Sequence, residues 1–257
     1  NARTTLSGYS SRYRKEGHTD NKWRLLYSFE RLVRETLPDI VSMENVPNLI
    51  HENVFRDFVR TLNELHYEVE YQVVNCPDYG VPQHRKRLVL LASRFGEIHL
   101  IPPLYDAEHY ITVRDAIGHL QPIEAGEICP DDILHRSSAL SAINMERIQQ
   151  SVPGGTWRDW DENLRLKCHR KESGATFPSV YGRMEWDEPS PTMTTQFYGY
   201  GNGRFGHPEQ NRAISLREGA ILQSFPDDYI FIDDLHPAKK RELGTHIGNA
   251  VPVELGR

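Results

Sequence analysis

Cysteine is scarce in this chain. Three thiols, Cys76, Cys129 and Cys168, are spread over 257 residues. An odd number with no short-spaced pair argues against a disulfide scaffold or a zinc site and favours a reducing cytoplasm. Long apolar runs are missing too. No stretch approaches the length that spans a bilayer, and the first residues are polar, so neither a membrane helix nor a signal peptide is expected. No internal repeat and no low-complexity tract is present. Positive charge is in deficit, with a formal net charge of −6, which taken alone points away from nucleic acid. The distribution matters more than the total. Arg3, Arg12, Arg14, Lys15, Lys22 and Arg24 face only Glu16 and Asp20 in the first segment. Residues 97–135 are acidic throughout, with Arg114 their one strong base. A polyanion can meet the first segment but not the second. The chain opens on Asn1 rather than Met and stops at Arg257, and it reads as a piece of something longer.

What is present is organised around Tyr79-Gly80-Val81-Pro82-Gln83-His84-Arg85-Lys86-Arg87, which runs into Leu88-Val89-Leu90-Leu91-Ala92. Gly and Pro set a turn, and an apolar run of strand length follows. Alternation along a strand turns Arg85 and Arg87 to one side. Two parallel guanidiniums suit a planar, oxygen-rich ligand such as a base carbonyl or a phosphate. Charged residues guarding an edge strand would show the same pattern, and this stretch alone does not decide between them.

Before it, Asp20 can cap a helix carrying Leu26, Phe29, Val33 and Leu37, ended by Pro38. Ile40–Met43 reads as a short buried strand that delivers Glu44-Asn45-Val46-Pro47 at its C-terminal end. Phe55, Phe58, Val59, Leu62 and Leu65 mark a second amphipathic helix. Tyr67, Val69, Tyr71 and Val73 alternate with Glu68, Glu70 and Gln72 as a strand wetted on one face. Leu88–Ala92, apolar on both faces, should lie inside the sheet beside it. Helix–strand–helix–strand–strand is the second half of a doubly wound α/β sheet, with ligands beyond the strand C-termini. Arg85 and Arg87 reach the rim that holds Glu44 only if their strand runs antiparallel, and the short loop from Cys76 to His84 predicts such a hairpin. From about Phe95 to Arg204 periodicity fades into a loop-rich insertion with a brief helix at about 139–150. Ser215 and Glu218 form a capping box that opens another helix, and a last helix is expected over roughly 237–246.

Four blocks occur in order: Glu44-Asn45-Val46; Gln83-x-Arg85-x-Arg87; Arg217-Glu218-Gly219-Ala220-Ile221-Leu222-Gln223-Ser224-Phe225-Pro226-Asp227; and Gly248-Asn249-Ala250-Val251-Pro252. Together they closely resemble the DNA (cytosine-5) methyltransferases, in that family's blocks six, eight, nine and ten. The resemblance covers about 20–96 and 186–257. It implies the second half of a Rossmann-like, S-adenosylmethionine-dependent methyltransferase sheet. By the same resemblance, residues 1–96 and 205–257 are parts of the catalytic domain and 97–204 is the inserted target-recognition domain. The implied reaction adds a cysteine thiolate to cytosine C6, transfers methyl to C5 from S-adenosyl-L-methionine, and then eliminates the cysteine. The base is flipped out of double-stranded DNA, commonly in bacterial restriction-modification. Residue by residue, Glu44 matches the glutamate that contacts N3 and N4, a role that a raised carboxyl pKa would favour. Arg87 matches the donor to O2 and Arg85 its supporting neighbour. Asn249 and Ala250 fall at the cofactor, and no metal is implied. For DNA contact, the acidity of 97–135 places that stretch on the outer face and leaves about 157–204 as the expected surface, with Arg183, Asn202 and Arg204 foremost among Trp157, Arg158, Arg165, Lys167, Arg170, Lys171 and Tyr181. The resemblance adds Thr194 and Thr195, and an ordinary hairpin turn with basic residues that only solvate the surface would show the same pattern.

The departure is large. The family's nucleophile stands in a Pro-Cys motif upstream of the glutamate strand, yet residues 1–75 contain no cysteine, and the Gly-rich cofactor loop is absent from the sequence. Cys76 ends an edge strand and is a poor substitute. The missing half is expected either in a longer polypeptide or in a separate partner, and the chain by itself is expected to be inactive. Residues 1–18 then resemble the tail of the loop that closes over DNA. A tRNA cytosine methyltransferase or a non-catalytic regulatory relative are the alternatives. The complete Glu44, Arg85 and Arg87 set weighs against the regulator, and the long variable region against the tRNA enzyme.

Overall fold

The computed structural model describes residues 24–171, 177–232 and 239–257. The basic first segment and the Asp20 cap lie outside the described residues. The chain divides into two compact units, one of residues 1–75 and 86–103, the other of 76–85 and 104–257.

The first unit is a small α/β layer. Helix α1 (Arg24–Thr36), strand β1 (Ile40–Asn45), helix α2 (Asn53–Glu64) and strands β2 (Glu68–Asn75) and β3 (Lys86–Ser93) follow in order. The sheet order is β1-β3-β2, with β3 antiparallel to both neighbours. The hairpin expected from the short loop is therefore present, and β3 is central. Its register pairs Glu44 with Val89 and Asn45 with Leu88. The start of β3 thus lies at the rim where β1 ends.

Burial follows the pleat. Val41 and Met43 of β1 and Leu88, Leu90 and Ala92 of β3 point to one face, where they pack with Leu26, Val33, Phe55, Phe58 and Leu62 of the two helices. Phe55 meets Tyr71 of β2 edge-on, rings 5.0 Å apart. Leu88–Ala92 lies inside the sheet beside β2, as expected. Helices α1 and α2 cover one face, and Val89 and Leu91 on the other are half-buried.

The second unit has little regular structure and a large core. Helix α3 (Val113–Ile117), a two-stranded ribbon of β4 (Ile128–Cys129) and β5 (Asp132–Arg136), helix α4 (Ala142–Gln150), helix α5 (Leu216–Leu222), helix α6 (Lys240–Asn249) and the short α7 (Val253–Gly256) are joined by long loops. Val113, Ile117, Leu134, Met184, Met193, Phe197, Phe205, Leu216, Leu222, Leu243 and Ile247 form one cluster. Helix α5 is buried along its whole length rather than on one stripe, so every residue from Leu216 to Leu222 must fit its neighbours. Its capping box is as expected: Ser215 Oγ accepts from Glu218 N at 3.0 Å and Glu218 Oε2 accepts from Ser215 N at 2.6 Å. Helix α6 runs to Asn249, past the expected end at His246, so Gly248 and Asn249 belong to its last turn. Among the described residues no helix is long and apolar enough to cross a membrane.

Candidate functional site

In the first unit β1 carries Glu44 to its end and β3 starts with Lys86-Arg87, on the antiparallel register described above. Arg87 lies two residues before Val89, the partner of Glu44, so the two side chains are diagonal neighbours on one face. Arg87 Nε stands 2.6 Å from Glu44 Oε1, with the side chains 12% and 15% exposed. Arg87 Nη1 also donates to the Lys86 carbonyl at 2.7 Å, which fixes the plane of the guanidinium. Beyond Glu44, Asn45 is buried and its Oδ1 accepts from Val46 N at 2.8 Å. A tight turn over Pro47–His51 anchored by buried Leu49 then closes the rim. The result is a half-buried carboxylate with one oxygen held by a guanidinium that still has N–H groups to offer. Such a pair can accept from an amine and donate to a carbonyl on the same planar ligand.

Arg85 has a different fate. It precedes β3, belongs to the second unit, and is 4% exposed. Its Nη1 donates to Gln83 Oε1 at 3.2 Å and to the Met193 carbonyl at 3.1 Å. Gln83 is fully buried. Its Oε1 also accepts from Met193 N at 2.8 Å, while its Nε2 donates to the Leu222 carbonyl at 3.1 Å and to Gln223 Oε1 at 3.0 Å. Gln223 in turn donates to the Ile247 carbonyl at 2.9 Å. Gly248 closes the circuit, since a Cβ there would collide with the Thr194 carbonyl and the Thr195 backbone. Segments 83–85, 191–195, 222–223 and 247–250, far apart in sequence, are thus tied to one buried polar knot. Arg85 is a brace in it, not an exposed ligand. Sequence reasoning gave no role to Gln83 or Gln223. The available signal was a glutamine lodged in an apolar helix, where a buried amide must find partners.

On this knot Thr194 is exposed, Thr195 and Asn249 are half-buried and Ala250 is buried. The Asn249 side-chain amide makes no hydrogen bond to a described residue, so it can serve a polar ligand.

The expected DNA surface divides sharply. Arg183 corrects the sequence reading. It is 5% exposed, and its guanidinium donates to the carbonyls of Ile148, Ser151, His207 and Gln210 and to Asn211 Oδ1. Nothing remains for a phosphate. Trp157 is buried as well, stacked on His169 with ring centres 4.2 Å apart, and Tyr181 packs edge-on against Trp160. By contrast Arg158, Lys167, Arg170 and Lys171 are exposed. Asn202 is exposed in a tight turn over Tyr200–Asn202 and donates to the Gln196 carbonyl at 3.2 Å. Arg204 is half-buried, with Nη1 on the Gly155 carbonyl at 2.9 Å.

Another buried arginine, Arg212, had no role in the sequence reading. Arg212 and Glu218 form a bidentate pair, both contacts 2.7 Å, with neither side chain exposed by more than 1%. Burial pushes the Glu218 carboxyl up, but the Arg212 hydrogen bonds win and hold it down at about 2. His207 lies 3.7 Å from the same carboxylate, and its Nδ1 accepts from the backbone N–H groups of Glu209 and Gln210. Burial keeps that ring neutral, lowering its pKa to about 4.

None of the three cysteines forms a disulfide. Cys76 is fully buried, Cys129 is buried against Gln121 Oε1 at 3.3 Å, and Cys168 is exposed.

Comparison with known proteins agrees with the motif order. The model of the C-5 cytosine-specific DNA methylase family matches residues 7–257. The type II methylase M.HgiDII of Herpetosiphon aurantiacus is 55% identical over 250 residues, covering 96% of this chain and 70% of that protein. The type II methyltransferases M1.BsuMI of Bacillus subtilis and M1.HphI of Haemophilus parahaemolyticus are 32% and 34% identical over 96% and 93% of this chain. The chain spans 56% and 60% of the length of those two relatives. Among solved structures, Spodoptera frugiperda DNMT2 superposes with a TM-score of 0.57 at 15% identity, covering 90% of this chain and 68% of that one. The Entamoeba histolytica methyltransferase EhMeth superposes with a TM-score of 0.54 at 16% identity, covering 90% and 66%. This chain belongs to the C-5 cytosine-specific DNA methylase family.

Proposed function

We propose that the chain is the base-activating and target-recognising part of a DNA (cytosine-5) methyltransferase of the restriction-modification type. The observation that carries the reading is the Glu44–Arg87 pair at 2.6 Å on the rim of the sheet. Cytosine offers, along one edge, an amine at N4, an acceptor at N3 and a carbonyl at O2. A carboxyl facing N3 and N4 and a guanidinium facing O2 complement that edge. They also stabilise the charge that reaches N3 and O2 when a nucleophile adds at C6. Arg85 acts at one remove, by fixing the loop that starts β3.

Bound S-adenosylmethionine would supply the methyl group. Asn249, with its unengaged amide, and Ala250, which leaves room beside it, fit one wall of such a site. The thiol nucleophile is not Cys76 or Cys129, which are buried, nor Cys168, which lies in the variable region. We place it outside these 257 residues, in the same polypeptide or a partner, and expect the chain alone to transfer no methyl. Residues 97–204 are the target-recognition region, with Thr194, Thr195, Asn202 and Arg204 the candidate contacts to double-stranded DNA. A cytoplasmic enzyme with free thiols agrees with this reading.

The test is Glu44→Gln in the complete enzyme, read as labelled methyl transfer into duplex DNA and into tRNA. Glutamine keeps the size but cannot share a proton with N3, so turnover should fall by roughly two orders of magnitude or more while duplex binding survives. Near-normal turnover would remove Glu44 from the chemistry, and wild-type transfer to tRNA alone would replace the substrate.

A further inference from the structure

One place in the second unit gathers positive charge with no acid among the described residues to answer it. Arg136 ends β5, and Ser138 follows two residues later. Lys240 is the first residue of α6. Its Nζ reaches Ser138 Oγ, which itself donates to the Tyr198 carbonyl at 2.6 Å, and it lies 5.5 Å from the centre of the Tyr198 ring. The Arg136 guanidinium makes no hydrogen bond or ion pair with any described residue, and its Nε is buried. Among the described residues no carboxylate pairs with either cation. Glu242, in the first turn of α6, is exposed and engages neither.

Two half-buried cations in mutual range lose hydration and repel each other, an arrangement that costs free energy unless an anion completes it. The Lys240 amine registers both effects. Burial, and after it the charge of Arg136, lowers its pKa to about 8. The N-terminus of α6 adds to the field, because its cap, Lys239, offers no side-chain acceptor to the first N–H groups. A phosphate is one oxyanion that can accept from a planar guanidinium, an ammonium and helix N–H groups together.

We propose that Arg136, Ser138 and Lys240 form a clamp for one phosphodiester of the DNA backbone. The clamp rests on the reading of the chain as a DNA methyltransferase. It adds a contact from outside the 157–204 segment and independent of base sequence. Bound phosphate satisfies Arg136, offsets the repulsion between the cations, and draws Lys240 fully into its charged form. Phosphate contacts of this kind set register and carry no sequence information.

The experiment uses the complete enzyme and a random-sequence duplex of about 30 base pairs, titrated at several salt concentrations. Arg136→Gln and Lys240→Gln should each weaken binding several-fold and lower the slope of log K against log salt by about one. Arg136→Lys and Lys240→Arg should restore the slope. Acetylation of wild-type Lys240, followed by mass spectrometry, needs no variant, and duplex DNA should protect the amine. Unchanged slopes, or full acetylation in saturating duplex, would overturn the clamp. Protection by inorganic phosphate but not by duplex would make the site one for free anions, which also overturns it. Wild-type enzyme that binds no duplex at all would instead overturn the functional reading on which the clamp stands.

Discussion

Arg87 and Arg183 are the same residue type in two units of one chain, and they do opposite things. Arg87 is partly exposed, meets one carboxylate oxygen and keeps N–H groups for a visitor. Arg183 is sealed in, with its donors on carbonyls at the C-terminal end of α4 (Ile148 and Ser151) and on the loop at 207–211. The first unit has enough regular structure to present a charged group at a strand end. The second is mostly loop, and loops leave backbone carbonyls that must be answered from within. Buried arginines answer them. A basic residue in a recognition region is therefore a ligand candidate only after its donors have been traced.

The contrast breaks first at the Arg212–Glu218 pair. Glu218→Gln removes the charge opposite a fully buried guanidinium and sets an amide N–H against one of its nitrogens, while the glutamine oxygen can still accept from Ser215 N. We expect a loss of about 3–5 kcal/mol in unfolding free energy, measured by urea denaturation of the second unit's tryptophan fluorescence. A loss under about 1 kcal/mol would mean that the pair contributes little. Arg183→Met should cost somewhat less, about 2–4 kcal/mol, because it strands several carbonyls without leaving a charge behind. Arg87→Met, which strands one carboxylate at a rim that water still reaches, should cost about 1–2 kcal/mol yet depress turnover. Were Arg87→Met the more destabilising of the two, the distinction between brace and ligand would fail.

His207 sharpens the same comparison through pH. Its folded pKa, about 4, lies below the ordinary histidine value of 6.5. Between those values the unfolded chain binds the proton that the folded one refuses, so stability rises with pH across the window. It is lost as pH falls from about 6.5 towards 4, on the order of 2–3 kcal/mol. Glu218, also depressed, adds a loss below about 4.5, continuing towards 2. His207→Gln should flatten the upper part of that profile and leave the lower part in place. A profile unchanged between pH 6.5 and 4.5 in the variant would assign the slope to other groups.

Much of this was legible in sequence, for reasons that can be named. The α1-β1-α2-β2-β3 order followed from periodicity, and the antiparallel return of β3 from a loop too short for a crossover. The Ser215–Glu218 box could be read because capping is local, set by residues three apart. The knot of Gln83, Arg85, Gln223 and Gly248 could not. Each of its hydrogen bonds but one joins residues more than 20 positions apart, and a motif names such residues without saying whether they face inward. Trp157 and Arg183 were misplaced for the same reason. Aromatic and basic residues in a loop-rich stretch look alike whether they coat the surface or fill the core.

The mildest changes fall on Lys167 and Lys171, both exposed and engaged by no described side chain. If the second unit separates internal arginines from external lysines as cleanly as the hydrogen bonds indicate, neutralising either lysine should move unfolding free energy by no more than about 0.5 kcal/mol. Its effect should appear instead in DNA binding, equally for all sequences, as a shallower salt dependence by about one per charge. Asn202→Ala provides the counterpart. That side chain is exposed at the tip of a turn with its Oδ1 unengaged, and losing it should relax preference at one base pair by roughly 1–3 kcal/mol without altering the salt slope. A lysine variant that changed the preferred sequence, or an Asn202 variant that changed only the salt slope, would exchange the two roles and show that exposure alone does not tell a backbone contact from a base contact.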